Sequence, residues 1–310
     1  MRRHLSTVFR VVLLAVAGVF LVRLTREYAR GLSDVRFDID VGMIVAASVL
    51  WLGSYTFLVG LWARSMAWWG TTVRLVPALR VFAAANLARY IPGGVWQIAS
   101  LTAMSASSGL PIVAVASAAV FQQIVLAGVG LILGLSFAPA TRLGESWQVS
   151  PPLVLAATVA AVAGLVLLLP PATRKVDAWL SRRGRIAFTL PTVRRRDVAS
   201  YVVLTGAGWV GYAIAFVLFA HAMLDPVPVH PVVLGASFVL SYVAGILAVF
   251  APSGLIVREA ALVALLAPAL GGEQALALSV ASRLWLTIID AGVSLAMLVR
   301  PSPSANGRLP

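Results

Sequence analysis

Long apolar stretches without charge dominate this sequence. The run from Val41 to Ala63 has 23 residues and no charged side chain, and 52 uncharged residues separate Arg89 from Arg142. A helix needs about 20 apolar residues to cross the hydrocarbon core of a bilayer. Overall, 60% of the 310 residues are hydrophobic, 11% are charged and mean hydropathy is +0.95. We therefore predict an all-α, polytopic membrane protein with about seven spanning helices, two re-entrant segments broken by Pro and Gly, and no separate soluble catalytic domain.

The first apolar run, Val11 to Val22, follows three arginines. It has the features of a signal peptide or of an anchor, and we interpret it as an anchor because no convincing cleavage site follows it. The stretch between Arg89 and Arg142 is too long for one crossing and requires two embedded elements. Further spanning helices are expected at 112–137, 153–169, 199–224, 231–250 and 275–299.

The net charge of +13 would point to nucleic acid in a soluble protein. Here the arginines lie in loops between apolar runs, so we interpret them as determinants of topology and expect no nucleic-acid partner. The 171–198 loop carries eight basic residues, and short basic loops stay cytoplasmic. We expect a multi-pass protein of the cell (plasma or inner) membrane, with the N-terminus and the 64–80 and 171–198 loops in the cytoplasm. Cysteine is absent, which excludes disulfides and thiolate chemistry.

Two Pro/Gly interruptions break the apolar sequence, Pro92-Gly93-Gly94 and Pro252-Ser253-Gly254. Segment 81–108 begins and ends on the same side by loop charge, so we predict a re-entrant hairpin there; an ordinary kinked helix is the alternative. Lipid satisfies no backbone N–H or C=O, so a turn at membrane depth must be buried in protein or line a wet cavity. Paired interruptions in two halves of a chain point to a transporter binding site.

The order of segments indicates two weakly similar halves within a single domain, residues 1–310. Residues 1–137 form the first half, 138–198 a connector span with the basic cytoplasmic loop, 199–300 the second half and 301–310 a disordered tail. Each half has two spans, a broken segment and another span, but no repeat is visible as residue identity.

Five charged residues interrupt the apolar runs, each at a cost of roughly 2.5–3.5 kcal/mol at the bilayer centre. Such residues face the protein interior, find partners and mark function. Arg258 and Glu259 are adjacent and point about 100° apart on a helix, so their partners must come from other segments. The alternative is a structural role, in which buried pairs hold the halves together and Arg89 reaches the interface. The five residues are Arg89, Arg258, Glu259, Arg283 and Asp290.

Three of these charges are positive and two are negative, so pairing both acids with arginines leaves one guanidinium over. A phosphate fits a guanidinium bidentately, and helix N-termini that restart after the interruptions would add positive partial charge. We therefore expect a cavity that binds an anionic head group. Tyr90 and Trp96 flank the first interruption, either as part of this cavity or as interfacial anchors.

Sequence signatures of catalysis are missing. Lys175 is the only lysine and no glycine stands before it, so there is no phosphate-binding loop, and no His-Glu-x-x-His run is present. We expect no enzymatic activity, no cofactor and no metal. A membrane-embedded transferase with Glu259 or Asp290 as base is the least favoured alternative, because no nucleophile accompanies those acids.

Two glycine motifs lie inside apolar runs. Gly206, Gly208 and Gly211 spell GxGxxG, but a nucleotide-binding loop would need a strand before it. Gly130 and Gly134 spell GxxxG, which lets two membrane helices approach closely. We interpret both motifs as helix-packing faces.

Three ordered segments resemble signatures of the lysylphosphatidylglycerol synthase/flippase transmembrane family. They are ARYIPGGVWQIASLTAMSASSGLP at 88–111, FAPSGLIVREAALVALLAP at 250–268 and SRLWLTIID at 282–290. The resemblance covers essentially the whole chain, without the aminoacyl-transferring domain of the bifunctional members. It implies the flippase half alone, which moves a polar-headed lipid such as an aminoacylated phospholipid or a polyprenyl-linked sugar between leaflets.

Many members that resemble this chain have Glu-Arg early in the mid-chain helix, where this sequence has Gln122-Gln123. A neutral amide pair would suit a different head group, so the resemblance does not fix the substrate. We include Gln122 among the expected residues of the head-group cavity. The residues that the resemblance carries over are Arg89, Tyr90, Pro92, Gly93, Trp96, Pro252, Gly254, Arg258, Glu259, Arg283 and Asp290.

The expected function is that of a lipid flippase or translocase for an anionic or polar-headed lipid. Arg258 and Arg283 would hold the lipid phosphate near the midplane, where the two broken segments meet. Glu259 and Asp290 would position these arginines while the acyl chains stay in the bilayer. The alternative is a non-transporting scaffold for an envelope-lipid or glycan biosynthetic enzyme. Expected partners are membrane lipids, either anionic phospholipids or polyprenyl-linked lipids, and envelope-biosynthesis enzymes.

Overall fold

The computed structural model is all-α in the part of the chain that it describes, which confirms the predicted fold class. The described residues are 39–88, 100–102, 105, 110–137, 156–157, 160–161, 163–164, 167, 193–224, 226–248 and 256–299. Their α-helices, with a 3-10 turn at Met66–Trp69 after the first, are α1 (Val41–Ser65), α2 (Leu75–Ala88), α3 (Ile112–Ser136), α4 (Arg195–Met223), α5 (Pro231–Leu247), α6 (Val257–Leu270) and α7 (Gly272–Val299).

Four of the described helices, α1, α3, α4 and α7, are long and apolar enough to cross a membrane. Helix α5 is also apolar but has only 17 residues. These five helices lie where the sequence predicted spans, although α4 begins four residues earlier and α5 ends three residues earlier than expected. The predicted anchor and most of 153–169 lie outside the described residues, so the total of about seven crossings stays a prediction.

Local sequence signals set several helix starts. The Asp40 side chain accepts a hydrogen bond of 3.0 Å from the backbone N–H of Met43 and so caps α1. His230 caps α5 in the same way, with its ring Nδ1 accepting from Val232 N at 3.2 Å. Pro231 follows in the first helical position, where its missing N–H costs nothing. At both starts the capping residue lies directly before the first residue of the predicted apolar run.

Glycines allow α1 and α4 to pack closely. A Cβ at Gly208 would lie 2.6 Å from Leu58 Cδ2, and one at Gly211 would collide with the Ser54 hydroxyl. Gly206 has only ordinary contacts, with Val129 Cγ1 at 3.8 Å. The predicted packing face is therefore confirmed for two of the three glycines.

The GxxxG motif of α3 packs against α4 and α5, as predicted. A Cβ at Gly130 would lie 2.7 Å from the Trp209 ring, and one at Gly134 would lie 2.5 Å from Leu240 Cδ2. The Trp209 indole donates a hydrogen bond of 2.9 Å to the backbone carbonyl of Leu126. Gly130 thus makes room for the tryptophan that joins α3 to α4, and Gly134 makes room for Leu240 of α5.

Helix α2 lies between α1 and α7. The Asn86 amide donates to the Tyr55 hydroxyl on α1 at 3.1 Å, and the Ser294 hydroxyl on α7 donates to the backbone carbonyl of Ala83 at 2.6 Å. Since α2 belongs to the first half of the chain and α7 to the second, helices of both halves share one packed interior.

Helices α6 and α7 form a hairpin whose connection is the single residue Gly271. Its φ of +83° is a conformation that favours glycine, because it has no Cβ. Helix α6 has 14 residues and is about 21 Å long, which is too short to cross a bilayer alone. The hairpin therefore brings the first turn of α6 to the middle of the long helix α7.

Candidate functional site

The first turn of α6 places two charged side chains inside the protein. Arg258 and Glu259 are only 6% and 7% exposed. Ile256 precedes the helix with a φ of +71°, a conformation that a β-branched residue rarely adopts. Glu259 lies in the first helical turn, where the positive end of the helix dipole stabilises a carboxylate.

Glu259 finds its partner on α7. Arg283 Nη1 lies 3.4 Å from Glu259 Oε1, and the Arg283 residue is only 3% exposed. One turn earlier on α7, the Ser279 hydroxyl donates to the backbone carbonyl of Glu259 at 3.4 Å. This arrangement confirms the expectation that the adjacent charges of α6 take partners from other segments.

Arg258 lies over two aromatic rings of α5. Its guanidinium carbon is 4.7 Å from the ring centroid of Tyr242 and 5.2 Å from that of Phe238. A guanidinium that contacts ring faces gains cation–π stabilisation, while its N–H groups point in its own plane toward polar partners. Tyr242 in turn contacts the Trp209 ring, with 5.5 Å between centroids. The arginine is thus held from one side by a packed aromatic wall.

The buried face of α7 is polar along much of its length. Asp290 is 8% exposed and lies two turns after Arg283, about 10 Å along the helix axis. The Thr287 hydroxyl between them donates to the Arg283 backbone carbonyl at 2.7 Å. The buried polar residues of this face are Ser279, Ser282, Arg283, Thr287, Asp290 and Ser294.

Comparison with protein families matches residues 7–293 to the lysylphosphatidylglycerol synthase TM region. The chain belongs to this family. No curated protein matches it. The resemblance of the three sequence segments is confirmed, and the chain is a multi-pass membrane protein of a family related to lipid handling.

The lysylphosphatidylglycerol synthase TM family motifs fall partly in the described residues. From the late motifs, Arg258, Glu259 and Arg283 come together at the start of α6, and Asp290 lies on the same buried face of α7 as Arg283. The predicted hairpin turn and the second interruption lie outside the described residues. So do seven candidate site residues: Arg89, Tyr90, Pro92, Gly93, Trp96, Pro252 and Gly254.

Gln122 ties two helices together. Its side-chain amide donates a hydrogen bond of 2.9 Å to the backbone carbonyl of Leu58, so it joins α3 to α1. The neighbouring Gln123 is exposed on α3. A neutral amide suits the contact with a backbone carbonyl, and its predicted part in the head-group cavity stays a prediction.

Sequence reasoning missed Phe238 and Tyr242, which are one helical turn apart on α5. An aromatic pair at this spacing looks like ordinary core packing. A signal for the ion pair was present, because Glu259 lies twelve residues before Gly271 and Arg283 twelve residues after it. In an antiparallel hairpin, residues equidistant from the turn lie opposite each other.

Proposed function

We propose that this chain is a lipid flippase that moves a phosphate-bearing lipid between membrane leaflets without covalent chemistry on the lipid. The observation that carries the proposal is the burial of Arg258, and of Arg283, which pairs with the next residue Glu259, in a membrane protein of a family related to lipid handling. Charged side chains inside membrane segments are expensive and usually line a substrate path.

The surroundings of Arg258 suit anion binding. The rings of Tyr242 and Phe238 fix the orientation of its guanidinium without using the in-plane N–H groups. A planar fork of N–H donors matches two oxygens of a phosphate. A lipid phosphodiester approaching the edge of this guanidinium therefore meets donors that are already oriented.

The second arginine is oriented by Glu259. The ion pair of 3.4 Å fixes one end of the Arg283 guanidinium beside the first turn of α6. In the proposed mechanism the lipid phosphate binds at these arginines and the acyl chains stay in the bilayer. Rocking of the packed halves would then open the site to each leaflet in turn.

The substrate class follows from the phosphate chemistry. Anionic phospholipids, aminoacylated phospholipids and polyprenyl-linked sugars all carry phosphate groups at the membrane surface. We place the protein in the plasma or inner membrane, with the basic 171–198 loop in the cytoplasm, where it could concentrate anionic lipid.

The test is transport by purified protein in liposomes. Vesicles would contain phosphatidylglycerol with a dithionite-sensitive fluorophore on one acyl chain, and dithionite would be added outside. Wild-type protein is expected to expose the inner-leaflet pool, whereas Arg258→Gln is expected to slow this phase about tenfold or more, since hydrogen bonds to charged groups contribute roughly 1.5–3 kcal/mol. The matched control is Arg74→Gln, which removes an exposed arginine.

The outcomes separate transport from scaffolding. A wild-type rate equal to that of protein-free vesicles, for phosphatidylglycerol and for polyprenyl-phosphate lipids alike, would refute the flippase. So would normal transport by well-folded Arg258→Gln. Either result would favour the scaffold, in which buried charges serve only the packing of the helices.

A further inference from the structure

Glu259 has acceptor capacity that the described protein does not use. Glu259 is 7% exposed, and both of its carboxylate oxygens are buried without a hydrogen-bond partner among the described groups. The Arg283 contact of 3.4 Å balances its charge on the Oε1 side. The nearby Ser279 hydroxyl donates to the Glu259 backbone carbonyl rather than to the carboxylate.

Such a group needs donors. An ionised carboxylate has about four lone-pair sites, and buried polar atoms without partners are rare in native proteins. The position of Glu259 in the first turn of α6 stabilises the charge but places no donor on its oxygens. Glu259 Oε1 lies 3.4 Å from Arg283 Nη1, so a ligand whose phosphate binds the Arg283 guanidinium lies beside these oxygens.

We infer that Glu259 is a specificity-determining residue, which accepts hydrogen bonds from O–H or N–H donors on the lipid head group next to the phosphate bound by Arg258 and Arg283. This inference rests on the proposed function and narrows its substrate class. The site selects lipids whose head group carries a donor beyond the phosphodiester. Hydroxyl groups of a glycerol or sugar and the ammonium of an amine supply the same donor chemistry.

The test compares pairs of short-chain lipids that have the same net charge but differ in head-group donors. Phosphatidylglycerol and phosphatidylmethanol have the same charge, but only the first has head-group hydroxyls. Phosphatidylethanolamine and phosphatidylcholine are both zwitterionic, but only the first has N–H donors. Dissociation constants would be measured for the full-length protein in detergent by quenching of its tryptophan fluorescence.

The wild type is expected to bind the donor-bearing member of at least one pair about tenfold more tightly, the factor that one hydrogen bond to a charged group provides. A difference within the first pair would indicate recognition of a hydroxyl group, and a difference within the second pair would indicate recognition of an ammonium group. Glu259→Gln is expected to weaken binding of the donor-bearing lipid more than binding of its donor-free partner, so that the preference falls. Glu273→Gln, at an exposed position of α7, is the control and should keep the full preference.

Equal binding within both pairs by the wild type overturns the inference, as does an undiminished preference in folded Glu259→Gln. Should that variant not fold, Glu259→Asp replaces it: withdrawing the carboxylate by one methylene should weaken the preference, and an unchanged preference would count against the inference. Loss of phosphatidylmethanol binding in Arg258→Gln reports on the phosphate site separately. The transport assay and the binding comparison can therefore fail independently: the donor preference can be found without transport, and transport can be found without the donor preference.

Discussion

Tyr242 lies with its ring centroid 4.7 Å from the guanidinium carbon of Arg258, so a helix without any charge of its own holds the arginine of the next helix. The two residues lie on either side of the second Pro/Gly interruption. Arg258 would otherwise have many rotamers, and each would point its donors in a different direction. The aromatic wall of α5 makes one orientation favourable.

Replacing the ring should therefore impair transport. Tyr242→Leu is expected to slow lipid transport roughly tenfold, which corresponds to a desolvated cation–π contact of about 1.4 kcal/mol. Tyr242→Phe keeps the ring face and should transport at nearly the wild-type rate. Both rates would be measured in the dithionite assay, next to the thermal stability of each variant. Full transport by Tyr242→Leu would show that the ring does not position Arg258.

Neutralising both members of the Glu259 and Arg283 pair should distinguish its contribution to stability from its contribution to transport. Each single change to glutamine leaves a buried charge without this partner and should lower the free energy of unfolding by roughly 1–3 kcal/mol. The double variant Glu259→Gln/Arg283→Gln should regain most of that stability but not transport. Thermal unfolding in detergent and the liposome assay measure the two effects. A double variant that recovers both would assign the pair to structure alone.

The glycine of α3 beside Trp209 gives a stability prediction. Gly130→Ala places a methyl group 2.7 Å from a ring that is fixed by its hydrogen bond to Leu126, so it should destabilise the fold by about 1–3 kcal/mol. Gly206→Ala, with its nearest neighbour at 3.8 Å, is the matched control and should be neutral or mildly stabilising. Apparent melting temperatures in detergent compare the two; equal values would contradict the packing role of Gly130.

The orientation predicted from loop charge can be tested in the natural sequence, because it contains no cysteine. Ser181→Cys marks the basic loop, and Pro226→Cys marks the exposed connection between α4 and α5. In intact cells an impermeant maleimide should label Pro226→Cys, whereas Ser181→Cys should react only after the membrane is opened. The opposite labelling pattern would show that the protein has the inverse of the predicted orientation.

The sequence predicted the helices of this fold and its buried charges better than it predicted which residues contact those charges. Apolar runs located α1, α3, α4, α5 and α7, and the spacing of glycines predicted two close helix contacts. Burial costs in lipid singled out Arg258, Glu259 and Arg283 as interior residues. Those costs do not depend on tertiary structure, which is why the sequence alone could reveal them.

The partners of these charges depend on which helix faces are in contact. Glu259 and Arg283 are 24 positions apart, and only the turn at Gly271 makes them neighbours. Tyr242 approaches Arg258 because α5 packs on α6, a contact that no periodicity in either segment indicates. Likewise, nothing in the sequence around Gln122 indicates that its amide binds the carbonyl of Leu58.

The one-residue connection at Gly271 also limits how this part of the molecule can move. Two helices joined by so short a link have no spare chain with which to slide past each other, and their ion pair lies twelve residues from the link on each arm. The two helices must therefore move together as one rigid hairpin. A phosphate bound by Arg258 and Arg283 would be carried with this hairpin, and contacts between the two halves, such as that of α7 with α2, would change during each cycle.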